Sequence, residues 1–417
     1  MAAASPRRAP PRLPFHYGWV IVATGALALF ACLGLGRFAI GMLLPTMAET
    51  LGLTYGELGA ISTANFVGYL AAVVAVGPFA TRLGHRKAVV TGLVLVGTSM
   101  VLIGRAAGFA EILALYFATG VGTGAANVPV MAIVSHWFGR RHRGRAAGFV
   151  VAGSGFGIIA TGLAVPAING SLGAEGWRTS WLVLGAVALA AALVCGLLLR
   201  NDPSEMALRP VGAEGAARPP AATPGPTGTS AGRLLTLHLG AVYFLFGFTY
   251  VIYATFIVTT LVREHGFSEA IAGRFWSWIG VLSLVSGPVF GALSDRFGRR
   301  VGFVIVFVLQ ASAYLLAGLG LSKGMLYISI GAFGIVAWSI PTIMAAAAAD
   351  YFGPARVAAT LGLVTFYFGV GQIVGPGLAG LMAEASGAFA SSYYLAAALA
   401  AAAVLLSLLL PRPRTTQ

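Results

Sequence analysis

Two stretches of this chain decide its fold: Gly77-Pro-Phe-Ala-Thr81-Arg82-Leu-Gly84-His-Arg86 and Gly291-Ala-Leu-Ser-Asp295-Arg296-Phe-Gly298-Arg-Arg300. They lie 214 residues apart (291 − 77), and the same shift, without a gap, aligns much of the rest. It sets Gly52-Leu-Thr54 on Gly266-Phe-Ser268, Gly59 on Gly273, and Trp137-Phe138-Gly139 on Tyr351-Phe352-Gly353. Gly148, Gly155 and Gly157 fall on Gly362, Gly369 and Gly371. A duplicated membrane bundle is the usual build of a secondary transporter, with the substrate held between the halves near the bilayer midplane. The repeat makes a carrier the first expectation.

Composition supports a lipid setting. The chain is 58% hydrophobic and 9% charged, with a mean hydropathy of +0.88, more apolar surface than a soluble domain of 417 residues needs. The net charge of +14 comes from arginines set between apolar runs, without a continuous basic face, which argues against a nucleic-acid partner. Cys32 and Cys195 both lie inside apolar runs and read as packing residues. Arg7, Arg8 and Arg12 before an apolar run that reaches Cys32 resemble a lipoprotein signal peptide, but the run continues to Pro45, so an uncleaved first span is expected.

Apolar stretches near the ~20 residues that cross a bilayer fall at 17–48, 54–80, 86–106, 110–135, 145–170, 177–200, 234–262, 268–293, 300–321, 325–350, 357–384 and 388–411. In lipid the backbone must satisfy its own hydrogen bonds, so each is expected to be a helix. The expected architecture is an all-α membrane protein of twelve transmembrane helices in two pseudo-symmetric six-helix halves, 17–200 and 234–411. Residues 201–233, rich in Pro, Gly and Ala, read as a flexible linker, and 1–16 and 412–417 as tails. Arginines gather in the tails and in the loops near 82–87, 140–145, 200–233 and 296–300, which are alternate connections. The positive-inside rule then puts both termini in the cytoplasm, and the plasma membrane is the expected location.

Twelve spans, two related halves and the repeated Gly-x-x-x-(Asp)-Arg-x-Gly-Arg-Arg loop resemble the major facilitator superfamily over the whole chain. The similarity extends to its monocarboxylate-transporter and oxalate–formate-exchanger branch. It is carried by His16-Tyr-Gly-Trp19, by Arg37, and by the run from Trp137 through Arg140-Arg141-His-Arg-Gly-Arg145-Ala-Ala-Gly148 to Ala152-Gly153-Ser154-Gly155-Phe-Gly157. The chain also departs from that branch. The aspartate and arginine that animal monocarboxylate carriers hold before a proline in the eighth span are absent around Pro288, and Thr81 stands where the second copy keeps Asp295. The resemblance implies a mechanical role for Arg82, Arg86, Asp295, Arg296, Arg299 and Arg300, locking the halves together at the cytoplasmic face.

Arg37 is the sharpest candidate for substrate chemistry. Ionisable residues inside a span are costly and mark substrate or ion paths. Eighteen residues from Trp19 at about 1.5 Å each put Arg37 roughly 27 Å in, toward the outer mouth. The setting Gly34-Leu-Gly36 allows close backbone approach and a local break. A guanidinium there can hold a carboxylate through two parallel hydrogen bonds. Arg274, in the outer third of the eighth span, is either a second cavity arginine or one that snorkels to the surface. Asn65, Tyr69, Asn127, Tyr250, Tyr253, Trp338, Tyr367 and Gln372 complete the expected substrate-binding set, with Tyr243 on the face of Tyr250. For each alone, packing between helices is the plainer role; together they suit a small polar ligand between aromatic walls.

No Asp or Glu lies deep in any span, so a proton would travel with the substrate or the carrier would exchange anions. Nucleotide loops, metal clusters and hydrolytic triads are missing, which excludes an enzyme and calls for no cofactor and no metal. The expected function is alternating-access transport of a small organic anion, a monocarboxylate above all, by a monomer, coupled to a proton or a counter-anion. A drug or metabolite exporter of the same fold and a transport-inactive sensor are the alternatives. The repeat breaks where Arg37 faces Val251, Arg274 faces Ala60, His136 faces Asp350 and Thr81 faces Asp295, and these mismatches are the expected seat of substrate choice and coupling.

Overall fold

The structure, a computed structural model, describes residues 15–212, 230–353 and 356–411. Twelve spans run in order. The first half comprises α1 (Gly18–Leu51), α2 (Tyr55–Leu83), α3 (His85–Ile103), α4 (Phe109–Trp137), α5 (Arg140–Leu172) and α6 (Gly176–Leu198). The second comprises α7 (Ser230–Thr259, continued by wide turns over Thr260–Glu264), α8 (Glu269–Phe297), α9 (Arg299–Leu319), α10 (Lys323–Phe352), α11 (Val357–Ser386) and α12 (Ala390–Leu408). The architecture is the major facilitator fold expected from the sequence.

The repeat is visible in backbone detail. Gly52 and Gly266 end α1 and α7 with φ of 63° and 65°, and Gly84 and Gly298 turn the chain after α2 and α8 at 89° and 92°. Thr54 and Ser268 then cap α2 and α8, each accepting from the amide three residues on, with Glu57 completing a capping box at Thr54. At the other end of those helices, Arg86 donates to the carbonyl oxygen of Gly196 and Arg300 to that of Leu410, two bonds related by the same 214-residue shift.

Two spans depart from plain α-helix. In α1 the residues Phe30–Phe38 adopt π-helical turns, a widening often found at functional sites. The expected break at Gly34-Leu-Gly36 is therefore a widening, and it comes with a close crossing: a Cβ on Gly34 would lie 2.6 Å from the Gly157 Cα. The α7–α11 crossing repeats this geometry, with Gly371 against the main chain of Phe244 and Phe248. In α10 the helix divides into Lys323–Val336 and Ser339–Phe352. Pro341 has no N–H for the Ala337 carbonyl, which favours the break. Ser286 of α8 repairs it, its Oγ accepting from the Trp338 amide at 3.1 Å and lying 2.8 Å from the Ser339 Oγ.

The halves meet along two seams, α2 against α11 and α5 against α8. On the first, Glu384 accepts from the Gly56 amide at 2.7 Å and the Thr54 hydroxyl at 3.0 Å, and Gly59 packs on Gly380 and Pro376. On the second, Asn169 donates to Glu269 at 2.9 Å, and Gly162 packs on Gly273 and Ser277. Toward the arginine-rich end the seams part: Gly77 and Gly362 on the first, and Gly148 on the second, have open space where a Cβ would sit. The bundle is closed at one end and splayed at the end that carries the basic loops.

Residues 201–233 differ from the expected flexible linker over their first part. Residues 201–212 dock on the first half: Val211 exchanges main-chain hydrogen bonds of 2.9 Å with Trp137 and Gly139, and Asn201 Oδ1 accepts from the Arg86 amide at 2.8 Å. The helix ends at Trp137 and the backbone of Phe138-Gly139 is extended, leaving the Trp137 carbonyl and the Gly139 amide for this segment to satisfy. Residues 213–229 lie outside the described residues, as do 1–14 and 412–417.

Candidate functional site

Arg37 is buried, 6% exposed, among α1, α2, α4 and α7. Its guanidinium carbon stands 3.9 Å from the centre of the Tyr69 ring and 4.8 Å from that of Phe66. These residues share a face of α2, three apart. The Tyr116 hydroxyl donates to the Arg37 carbonyl at 2.8 Å, anchoring the main chain where the π-helical turns loosen it. Nε and Nη2 are buried without a hydrogen-bond partner. Among the described residues, the ion pairs are Arg178 with Glu175 and Arg299 with Asp295 and Asp350, so no carboxylate neutralises Arg37. A buried charge is costly unless it is paired, and aromatic faces supply only part of what a carboxylate would.

The depth of Arg37 corrects the expectation from the sequence. Spacing along the helix placed it toward one mouth, but α1 is 34 residues long and continues to Leu51. Arg37 sits near its middle, level with Tyr69 at the middle of the 29-residue α2. The first span is far longer than the ~20 residues of a minimal crossing, so counting from its start overstated how close the residue came to the surface.

Around Arg37 the structure gathers part of the expected set. Asn127 donates to the Tyr69 hydroxyl at 2.9 Å. From the second half come Tyr250, which accepts from Gln372, and Trp338, whose ring lies 5.7 Å from Tyr250 and 5.2 Å from Phe38. Tyr243 and Tyr250 share a helix face as expected, and the ring of Phe368 stacks against both, at 4.5 and 5.9 Å. Beside Arg37 is a void of about 10 Å³, bordered also by Phe38, Ser62, Phe66, Val251 and Thr255. That is room for about one water molecule.

Other expected residues are elsewhere. Asn65 faces α4, donating to the Tyr116 carbonyl at 3.1 Å, and does not join the site. Tyr253 is fully buried inside the second half, its hydroxyl 2.7 Å from Ser329 and its ring stacked on Phe333. Tyr367 packs over Gly240 near the start of α7, while its neighbour Phe368 points to Tyr250. Arg274 is exposed on a stripe with Ile271, Trp278, Val281 and Val285, away from the Gly273-Ser277-Gly280 row that meets α5. It is not brought together with Arg37. Phe38, Phe66 and Phe368 were not among the expected residues. A phenylalanine beside or three residues from a polar candidate was the available signal, and plain apolar residues carry none of their own in a membrane helix.

Of the six residues implied to lock the halves, Arg86, Asp295, Arg299 and Arg300 are bonded within their own halves. Arg86 reaches Gly196; Arg299 bridges Asp295 and Asp350, the latter at 2.6 Å; Arg300 reaches Leu410; Arg296 lies over Phe297; and Arg82 is exposed. Among the described residues, these six groups make no hydrogen bond or ion pair from one half to the other. Arg86, Arg299 and Arg300 thus tie helix ends within each half.

A bundle of two related six-helix halves of apolar spans defines the class: a membrane transporter of the major facilitator type, and not an enzyme. Residues 29–409 match the family described as uncharacterised MFS-type transporter YbfB, and the chain belongs to that family. It is 25% identical over 395 residues to the probable sulfoacetate transporter SauU of Cupriavidus necator, covering 89% of each chain. It is 26% identical over 421 residues to monocarboxylate transporter 11 of Mus musculus, covering 95% of this chain and 88% of the other. A putative tartrate transporter of Agrobacterium vitis is 24% identical, with 91% and 90% covered. Among solved structures, a bacterial homologue of the human lysosomal transporter Spinster superposes with a TM-score of 0.72 at 18% identity, covering 94% of this chain and 95% of that one.

Proposed function

We propose that the protein is a secondary carrier that moves a small organic anion, above all a monocarboxylate, across the plasma membrane by alternating access. The observation that carries this reading is Arg37: a buried guanidinium between the halves, set on aromatic faces, with two N–H groups unpaired. A carboxylate supplies both the missing charge and the missing acceptors in one planar group. Relatives that span nearly the whole chain are named as transporters of sulfoacetate, monocarboxylates and tartrate, small organic acids in every case.

Arg37, Tyr69 and Asn127 would hold the anion from the first half, and Tyr250, Gln372 and Trp338 from the second. With the basic loops in the cytoplasm, the splayed end faces inward and the Glu384 and Glu269 seams close the outside. The void of about 10 Å³ beside Arg37 is smaller than an organic acid, so a substrate must widen the site to bind. Coupling by co-transport of a proton with the acid, or by exchange for a second anion, fits a site whose charge resides on an arginine.

The test is uptake of labelled lactate, pyruvate, formate and oxalate into proteoliposomes containing the wild type or Arg37→Ala. Uptake of at least one acid by the wild type, reduced a hundredfold or more in the variant, is the expected result. Equal uptake by the two proteins would remove Arg37 from the mechanism.

A further inference from the structure

Away from the central site, the first half carries a groove of about 610 Å³ between α1 and α6, at the end of the basic loops. Phe15, Trp19, Ala23 and Leu27, each four residues from the next, form one wall, and Val194 and Leu198 of α6 form the other. From Trp19 to Leu27 the wall rises about 12 Å, most of the ~15 Å that one leaflet adds to a hydrocarbon core of ~30 Å. Phe15 and Trp19 are exposed at the mouth, where aromatic rings suit the membrane interface. The mouth also holds a cation. Arg200 Nη1 donates to the carbonyl oxygens of Leu197 and Leu199 at 2.8 and 2.7 Å, so its guanidinium flanks Leu198 of the groove wall. Among the described residues, Arg200 makes no ion pair.

Three occupants could fill such a groove: a lipid chain, a second copy of the protein, or the chain's own residues 1–14. A second copy in a two-fold pair would set this concave face against itself and leave it unfilled. Residues 1–14 bring Arg7, Arg8, Arg12 and four prolines, and charge is costly in an apolar slot within lipid. Lipid tails are as apolar as the side chains they touch, so the groove alone selects no particular lipid. The choice falls to the head group, and the Arg200 guanidinium calls for a phosphate whose charge no cation of the same lipid cancels. We infer that the groove binds an anionic phospholipid of the cytoplasmic leaflet, one acyl chain lying along Trp19, Ala23 and Leu27 and the phosphate on Arg200. The surrounding sequence strengthens the attraction. Arg7, Arg8 and Arg12 precede Phe15, and the Arg209 carbonyl oxygen lies 3.0 Å from His16 Nε2, beside Phe15; such juxtamembrane basic sets draw anionic lipids. The leaflet follows from the orientation proposed above, and the transported substrate plays no part in the assignment.

Trp19 reports on its own groove. The protein is reconstituted in phosphatidylcholine bilayers that contain increasing amounts of phosphatidylglycerol or phosphatidylcholine brominated on the acyl chains. Quenching of the Trp19 fluorescence is taken as the difference between the wild type and Trp19→Phe. Trp278, exposed on α8, is present in both and reports on bulk lipid. Brominated phosphatidylglycerol is expected to quench Trp19 at a roughly fivefold lower mole fraction than brominated phosphatidylcholine, the worth of about one arginine at an anionic membrane surface. Arg200→Gln should reduce that preference to within about twofold, and Arg200→Lys should keep it, which separates the charge from any loss of folding. Ala23→Phe, which fills the groove from an exposed wall position, should abolish the preference with Arg200 intact. Equal quenching of Trp19 by the two lipids, the same preference in the Trp19→Phe signal, or a preference unchanged in Arg200→Gln would overturn the assignment. So would an unquenched Trp19 with disulfide cross-linking of Ala23→Cys between copies, which would make a second copy the occupant. Quenching that appears only after removal of residues 2–14 would make those residues the occupant and overturn it too. None of these outcomes bears on the transport reading, which Arg37→Ala tests separately.

Discussion

Glu384 of α11 accepts a hydrogen bond of 2.7 Å from the main-chain amide of Gly56 at the start of α2, so a carboxylate of the second half occupies a helix N-terminus of the first. The Thr54 hydroxyl adds a second bond at 3.0 Å. Charge-assisted bonds to helix N-termini are worth about 1.5–3 kcal/mol each. Glu384→Ala should therefore shift the balance toward the state in which this end is open, by roughly tenfold or more. Thr63, lower on the same seam and bonded to the Ile373 carbonyl, is a suitable reporter. In a Thr63→Cys background, maleimide labelling should accelerate about tenfold when Glu384 is removed. The natural Cys32 and Cys195 are buried and contribute little background. Unchanged labelling would show that the seam is held by packing alone.

The ring of Tyr69 and its hydroxyl do separate jobs. The ring carries the Arg37 guanidinium at 3.9 Å, while the hydroxyl only accepts from Asn127. Tyr69→Phe keeps the cation on an aromatic face and should raise KM for an acid substrate less than about fivefold, near 1 kcal/mol. Tyr69→Ala removes the face, worth about 2 kcal/mol for a desolvated cation, and should cost tenfold or more. Equal effects from the two variants would mean that the hydroxyl, not the ring, positions Arg37.

Glycine pairs give a contrast in stability. A Cβ on Gly157 would lie 2.4 Å from the Gly34 Cα, backbone against backbone, whereas at Gly148 nothing lies within 4 Å. Gly157→Ala should destabilise the first half by about 1–3 kcal/mol through overpacking and lower the melting temperature by several degrees. Gly148→Ala should be neutral or slightly stabilising, since alanine is the better helix former. Thermal unfolding of both variants in detergent checks the pair, and a larger loss for Gly148→Ala would contradict the α1–α5 crossing.

Arg274 and Arg37 should behave oppositely. Arg274 shares the exposed stripe of Ile271, Trp278 and Val281, so Arg274→Gln should leave uptake within about twofold of wild type, as surface changes usually do. A loss comparable with that of Arg37→Gln would place Arg274 on the substrate path after all.

Much of this architecture was legible in the chain. Spans of about 20 or more apolar residues must be helices, because lipid offers the backbone no other partner. A 214-residue repeat of glycines and capping residues, Gly52 with Gly266 and Thr54 with Ser268, announced matching turns that the structure shows with nearly equal φ. The site was legible in part. Arg37 stood out because charge within a span is rare, and Tyr69, Asn127, Tyr250, Trp338 and Gln372 do surround the same region. Asn65 and Tyr253 looked equally suitable and turned elsewhere, since helical period tells which residues share a face but not which neighbour that face meets.

By itself, then, the sequence determined the features that local rules and the solvent dictate: twelve helices, two related halves, a rare buried charge. Only the tertiary structure decided which helices cross closely and how deep Arg37 lies. It also determined that Arg274 faces outward, that residues 201–212 dock on the first half, and that Arg86, Arg299 and Arg300 bond within their halves. Those outcomes depend on contacts between residues hundreds of positions apart, such as Glu384 with Gly56 or Phe38 with Trp338. Packing geometry sets such contacts, and no periodicity along the chain encodes them.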